Sequence, residues 1–232
     1  MGKSIMAIGG HIGDMELTAG GVLAQAYLDG GKIYTVALTA GERGNPAGMS
    51  VSDYRKQKVV EAESFAEMLG GKAIVFPYVD GELPINDEVA FELADLIREY
   101  KPDVLITHWK NSMHKDHMAA YEITKKAQFY AGLASIERKL PRHYAQGPYY
   151  AENWEDEAGF TPYVYSVISK EAFDLWYKAI DTHWFAVNST SFKYKQYYSH
   201  LKAVRGIFCR KEYAEAFQID EYKKHNVTDL TV

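Results

Sequence analysis

The sequence predicts an open α/β fold, a mostly parallel sheet with helices on both faces. Three observations carry this. Short apolar runs rich in β-branched residues alternate with longer stretches of helical composition. Glycine pairs, Gly30-Gly31 and Gly70-Gly71, close helices just ahead of the next run. The intervals between runs are also long enough for the helical crossovers that parallel strands require.

In chain order, Ser4–Gly10 reads as a buried strand, followed by a helix from about Asp14 to Leu28. Lys32–Thr39 is the second strand. A Gly/Pro loop over 40–50 then leads into a helix from near Asp53 to Leu69. Ala73–Tyr78 is the third strand, ended by the turn Asp80-Gly81-Glu82-Leu83-Pro84, and Asn86–Tyr100 is a helix. Val104–Trp109 is the fourth strand, and a helix from about His117 to Tyr130 follows the loop that holds His114. This alternation defines a Rossmann-like core over residues 1–131.

Beyond it, Tyr149–Glu152 and Tyr163–Ser169 read as strands separated by an acidic loop, Asn153–Gly159. Helices are expected over Lys170–Asp181 and Ser189–Val204, and a late strand over Tyr213–Ile219. Residues 132–220 are expected to complete the sheet and wall a pocket rather than form a second domain. Residues 221–232 read as a loose tail, so the whole chain, 1–232, is expected to be one domain.

Composition narrows the function classes. With 26 Lys and Arg against 31 Asp and Glu, the formal charge is −5 and basic residues are dispersed, which argues against nucleic acid as a partner. Cys209 stands alone, excluding an intrachain disulfide and a Cys-based zinc site. The first ten residues are too short in apolar length for a signal peptide, and Met6 stands where myristoylation needs Ser or Thr. No stretch has the apolar length of a membrane span. A cytoplasmic protein acting on a small molecule is expected, with a homo-oligomer left open.

Two polar stretches stand out, Gly9-Gly10-His11-Ile12-Gly13-Asp14 after the first strand and His114-Lys115-Asp116-His117 after the fourth. In open α/β sheets ligands sit beyond the carboxyl ends of the strands, and both stretches lie at such ends. The first is not a dinucleotide loop. Ile8 occupies the first glycine of the required G-x-G-x-x-G, and Thr39-Ala40-Gly41 stands where a ribose-binding acid belongs. His11, Asp14 and His117 together suit a metal site, because two histidines and a carboxylate leave a fourth position to water, as in a catalytic zinc. The bland alternative makes Asp14 a helix N-terminal charge and the histidines ordinary loop residues. Coincidence of both clusters at one sheet edge favours a site.

His11-x-x-Asp14-x-Glu16 and His114-x-Asp116-His117 resemble the LmbE-like, or PIG-L, deacetylases. Thr39-x-Gly41-Glu42, Arg55, Asp80-Gly81-x-Leu83-Pro84 and Tyr213-Ala214-Glu215-Ala216-Phe217 extend the resemblance over most of the chain. It implies zinc-dependent removal of an acyl group, usually acetyl, from a sugar amine, with His11, Asp14 and His117 holding the metal. It further implies that His114 stabilises the oxyanion or protonates the leaving amine, that Asp116 orients His114, and that Arg55 and Asp80 bind substrate hydroxyls. Zn2+ is the expected ion, and these ligand types also admit iron, manganese or cobalt.

The sequence departs from the family twice. The family's first motif is usually His-Pro-Asp-Asp, with the first Asp as general base, and here Ile12 and Gly13 stand in its middle. His183-Trp184-Phe185 replaces a frequent His-x-Ser-Gln. Substitute bases are Glu16, Asp116, Glu42 or the substrate itself, and Glu16 also reads as support for the ligand loop. The alternative to a hydrolase is a metal-containing, sugar- or small-molecule-binding protein that has lost turnover. Tyr149, Tyr150, Trp154 and Trp184 suit stacking on a sugar ring or, equally, core and interface.

Overall fold

The computed structural model describes residues 2–223, so most of the expected tail, from residue 224 on, lies outside the described residues. Five strands pair in parallel: β1 (Ile5–Gly9), β2 (Ile33–Thr39), β3 (Lys72–Tyr78), β4 (Val104–Thr107) and β5 (Gln146–Ala151). Two more, β6 (Val164–Ile168) and β7 (Tyr213–Gln218), are antiparallel to each other, and β7 is antiparallel to β5. One seven-stranded sheet results, in the order β3-β2-β1-β4-β5-β7-β6. The chain winds outward from β1 to β3 and returns to place β4 on the other side of β1. That reversal opens a crevice beyond the carboxyl ends of β1 and β4.

Strand alternation sorts the core into two layers. Met6 and Ile8 of β1 pack with Leu38 and Leu105 beneath α4 (Asp87–Tyr100) and α5 (Lys115–Gly132), through Leu93, Ile97 and Ile123. Ile5 and Ala7 face the other way, toward Leu23 of α2 (Gly20–Leu28), Phe65 of α3 (Val51–Met68) and Trp176 of α6 (Lys170–Ala179). Among the described residues, no helix is long and apolar enough to cross a membrane.

The expected helix over Asp14–Leu28 is two helices, α1 (Asp14–Thr18) and α2, broken at Ala19 with φ −125°. Tertiary contacts impose the break. The Glu215 carboxylate of β7 accepts the Gly21 and Val22 N–H groups at 2.9 and 2.7 Å, giving α2 its own acidic N-terminal partner. Gly20 lets Trp176 approach, since a Cβ there would stand 2.4 Å from the indole Cδ1. The end of α1 is held by the C-terminal half. Trp176 Nε1 donates to the Glu16 carbonyl at 2.8 Å, and Lys202 Nζ of α8 (Tyr194–Phe208) donates to the Leu17 carbonyl at 2.9 Å.

The helix expected over Ser189–Val204 starts later, at Tyr194, and runs on to Phe208. A short α7 (Trp184–Asn188) precedes a loop at Ser189-Thr190-Ser191, and α8 begins at Tyr194. The Ser189 hydroxyl accepts the Phe192 N–H at 3.3 Å, the local side-chain competition by which serine interrupts helices. β4 ends at Thr107 rather than Trp109, which releases His108 from the sheet.

Candidate metal centre and active site

The site is assembled by the loops that leave β1, β2, β3 and β4, with the segment 153–156 after β5 closing it. Gly13, at φ 104°, turns the chain into α1, and the Glu16 carboxylate accepts its N–H at 3.0 Å. This is the one half of a capping box that a glycine N-cap allows, with Glu16 serving the backbone. Asp14 folds back so that its Oδ2 accepts the His11 N–H at 2.7 Å. The first turn of α5 brings His114 as its N-cap, with Nδ1 accepting the Asp116 N–H at 3.2 Å, and puts His117 beside His11.

Asp14 stands between His11 and His117. Asp14 Oδ2 lies 3.3 Å from His11 Nδ1 and 3.4 Å from His117 Nε2. Ligand bonds of about 2.0–2.1 Å at tetrahedral angles put neighbouring ligand atoms roughly 3.3 Å apart, which matches the two separations at Asp14. His117 Nε2 is buried without a hydrogen-bond partner among the described residues. Among the described residues three overlapping donor sets occur here, His11–His114–His117, Asp14–His108–His117 and His11–Asp80–Asp116; the expected His11–Asp14–His117 trio is not itself one of them but draws its members from the first two.

The tautomers favour His117 as a ligand and His108 as its support. The Asp156 carboxylate bridges them, Oδ2 at 2.9 Å from His108 Nδ1 and Oδ1 at 3.1 Å from His117 Nδ1. The two imidazoles stack at 3.9 Å, and His108 Nε2 reaches Asp14 Oδ2 at 3.0 Å. Burial opposes charge on His108, but Asp156 and Asp14 on either side outweigh it and raise its pKa to about 9. A doubly protonated His108 donates to both carboxylates. The Gly10 N–H, 3.2 Å from the same Nε2, then finds no acceptor there. Burial and the stacked His108 cation lower the His117 pKa to about 4, so it stays neutral. With Nδ1–H given to Asp156, its Nε2 lone pair is free for a metal.

The cluster attracts positive charge. Burial works against the His11 cation, yet Asp14, then acceptors on Asp116 and Asp80, raise its pKa well above the ordinary value. Its Nε2 edge faces Asp80 at 3.1 Å and Asp116 at 3.5 Å. A cavity of about 940 Å³ opens over the site, lined by His11, Asp14, Asp80, His114 and His117.

The remaining expected residues divide. Asp80 lines the cavity, its Oδ2 accepting the Arg43 N–H at 3.0 Å. Asp116 does not orient His114 through its carboxylate, which instead accepts the Gly81 N–H at 2.6 Å and faces His11. Arg55 is turned away from the cavity: it donates to the Phe76 and Tyr78 carbonyls and pairs with Glu42 at 3.2 Å, stapling α3 to the end of β3. Glu42 accepts the Asp80 N–H at 3.1 Å and so braces that loop. Glu16 is buried beneath the loop and does not line the cavity, and burial lifts its pKa to about 7.

Sequence reasoning missed five residues. Reading β4 through Trp109 hides His108. Glu155 and Asp156 lie in an acidic loop that looks solvated in sequence, yet Asp156 is fully buried and Glu155 lines the cavity, its Oε2 3.8 Å from His117 Nε2. Burial, then Asp14 and Asp156, raise the Glu155 pKa to about 7. Lys58, one turn beyond Arg55 on α3, lines the cavity that Arg55 does not reach. Phe185 fills the space beside Gly13, where a Cβ would lie 2.4 Å from its ring.

Sheet order, switch-point crevice and a floor of histidines and carboxylates define a Rossmann-like α/β protein with a candidate metal centre at its carboxyl edge. The family model for GlcNAc-PI de-N-acetylase, PIG-L, matches residues 6–128, and the chain belongs to that family. It is 29% identical over 139 residues to 4-oxalmesaconate hydratase of Pseudomonas putida, covering 56% of this chain and 53% of that one. It is 28% identical over 141 residues to diacetylchitobiose deacetylase of Thermococcus kodakarensis, covering 59% and 53%. The chain spans about half the length of the curated relatives it matches. Among solved structures, the 4-carboxy-2-hydroxymuconate hydratase GalB of Pseudomonas putida aligns with TM-score 0.86 at 22% identity, over 97% of this chain and 100% of that one. The N,N'-diacetylchitobiose deacetylase of Pyrococcus horikoshii aligns with TM-score 0.81 at 21% identity, over 94% and 84%. At these identities the structural likeness concerns the fold.

Proposed function

We propose that this protein is a metal-dependent amidohydrolase that removes an acyl group, acetyl in the first instance, from the amine of an amino sugar or a related small amide. The observation that supports this reading is that Asp14 Oδ2, on the cavity floor, lies 3.3 Å from His11 Nδ1 and 3.4 Å from His117 Nε2, amid three overlapping sets of metal-ligand side chains. These three residues would hold the ion, zinc by ligand type or another divalent metal. Such an ion polarises a carbonyl oxygen and makes water more acidic. His114 accepts at Nδ1, so the neutral ring carries its proton on Nε2 and serves as donor to the developing oxyanion. Glu155 is the base in place of the family's aspartate: it takes a proton from the attacking water and passes it to the amine as the C–N bond breaks. Asp80 braces the loop and offers an acceptor to substrate hydroxyls.

A second reading has its own observation. Phe185 occupies the space where a side chain at position 13 would project, and a hydratase is among the relatives in both comparisons. Under that reading the same residues add water to an unsaturated substrate, with Glu155 and His114 exchanging the protons. The test follows primary amine and acetate release from N-acetylglucosamine and diacetylchitobiose by metal-stripped and zinc-restored protein, with His117→Ala as control. Zinc-dependent amine release supports the amidohydrolase. No release from these sugars or from N-acetylglutamate, with metal bound and His117→Ala indistinguishable, overturns it and leaves hydration, or a binding role without turnover.

A further inference from the structure

Lys58 has no function in the reaction just described, and its surroundings are unusual. It lies on α3 with 5% of its surface exposed, and what remains open faces the cavity. Its ammonium sits 4.9 Å from the centroid of the Phe185 ring and 5.7 Å from that of Tyr54. It also sits close to His11, because a Cβ placed on Gly41 would be 2.8 Å from Lys58 Nζ and 3.0 Å from His11 Cβ. Among the described residues, the Lys58 ammonium makes no hydrogen bond and no ion pair, and the carboxylates of Asp14, Asp80, Glu61 and Glu16 act on it only at longer range.

The acids nearby are used by other groups. Asp14 serves the His11 N–H and His108, and Asp80 serves the Arg43 N–H and His11. Glu16 serves the Gly13 N–H, and Glu61 accepts from Gln57 at 2.6 Å through Oε1, while its Oε2 is buried without a hydrogen bond among the described residues and makes none to Lys58. Ring faces compensate an ammonium only partly, and a buried cation without a hydrogen-bonded counter-ion is costly. A cavity-facing ammonium in this state is a receptor for an anion. A divalent ion on the floor would add positive charge to Lys58 and Arg43, against the lining acids Asp14, Asp80 and Glu155.

We propose that the substrate of this site is a small carboxylic acid, whose carboxylate is received by the Lys58 ammonium between His11 and the Phe185 ring. The inference rests on reading this cavity as the substrate site and holds whether the reaction is hydrolysis or hydration. It narrows the class from neutral N-acetyl sugars to acids, such as an N-acylated amino acid.

The test is calorimetric titration of the zinc-loaded protein with N-acetylglutamate, with neutral N-acetylglucosamine, and with inorganic phosphate. It is repeated in Lys58→Met and, should that variant fold poorly, in Lys58→Gln. Any carboxylate captured by the metal is common to wild type and variants, so their difference reads Lys58 alone. N-acetylglutamate is expected to lose tenfold or more in affinity in the variant, while N-acetylglucosamine changes by less than twofold. Equal N-acetylglutamate affinity in wild type and variant overturns the proposal, as does Lys58-dependent binding of phosphate but not of N-acetylglutamate. Amine release from N-acetyl sugars without Lys58-dependent carboxylate binding removes the acid subsite and leaves the hydrolase. Carboxylate binding without any amine release does the reverse.

Discussion

Replacing Asp156 with alanine tests how the candidate metal centre is held together. This buried carboxylate bridges His108 and His117, and removing it strips both Nδ1–H groups of their acceptor. Burial opposes ionisation of Asp156, but His108 and then His117 lower its pKa from 3.8 to about 2, which is worth on the order of 2 kcal/mol. The rise of His108 from 6.5 to about 9 reports the same interaction, so the two are not summed. Breaking a buried pair costs about 3–5 kcal/mol, and Asp14 still partners His108, so we expect a loss of about 2–4 kcal/mol in denaturant unfolding. Without Asp156, His117 is free to change tautomer or rotate, and loss of such a support typically costs about 10–100-fold in metal affinity. Chelator competition should show that fall. Asp156→Asn is expected to recover part of it, with the amide oxygen on His117 and the amide NH₂ on a neutral His108. The sign with pH is set by both groups. The Asp156 contribution is present above about 3.8 and lost as pH falls toward 2, whereas that of His108 is present below about 6.5 and lost as pH rises through 9. The gap between wild type and Asp156→Ala should therefore be widest near pH 4–6 and shrink toward pH 9. Metal affinity within twofold of wild type, with an unchanged unfolding midpoint at pH 5, would refute the bridging role.

Three further expectations follow from the same geometry. Gly13→Asp should not restore a family-like base: φ 104° and the Phe185 ring 2.4 Å from the new Cβ make it destabilising, whereas pairing it with Phe185→Ala should recover folded yield, read by thermal melts. Glu155→Gln should lower turnover by about 10²–10⁴-fold with metal content unchanged, and should abolish an acid limb near pH 7, since the carboxylate must be ionised to accept a proton. Glu16→Gln keeps an acceptor for the Gly13 N–H and should change turnover by less than about tenfold; a larger loss with metal retained would return Glu16 to the role of base.

The frame of this molecule is legible in its sequence because local signals and tertiary structure agree there. The parallel strands, the long α3, α4 and α5, and the placement of His11, Asp14, His114 and His117 at one sheet edge all follow from periodicity and glycine punctuation. What could not be read depends on contacts distant in sequence. The break at Ala19 is set by Glu215 and Trp176, from the other end of the chain. Asp156 and Glu155 sit in a stretch whose composition is that of a solvated loop, and only the return of the chain after β5 buries them against His108 and His117. The choice between Arg55 and Lys58 is a matter of helix phase: both lie on α3, but one turn of difference sends Arg55 to the Phe76 and Tyr78 carbonyls and Lys58 into the cavity. The absence of a side chain at Gly13 is visible in sequence, whereas its filling by Phe185 is not.

The central claim is that His11, Asp14 and His117 hold one divalent ion at the carboxyl edge of β1 and β4. Anomalous diffraction at the zinc edge, on protein purified without chelator and supplied with one equivalent of zinc, tests it most directly. The account predicts a single peak about 2.0–2.1 Å from His11 Nδ1 and His117 Nε2, within about 2.2 Å of an Asp14 oxygen, and lost in His117→Ala. A peak held instead by His11, Asp80 and Asp116, or no peak at all, would contradict it.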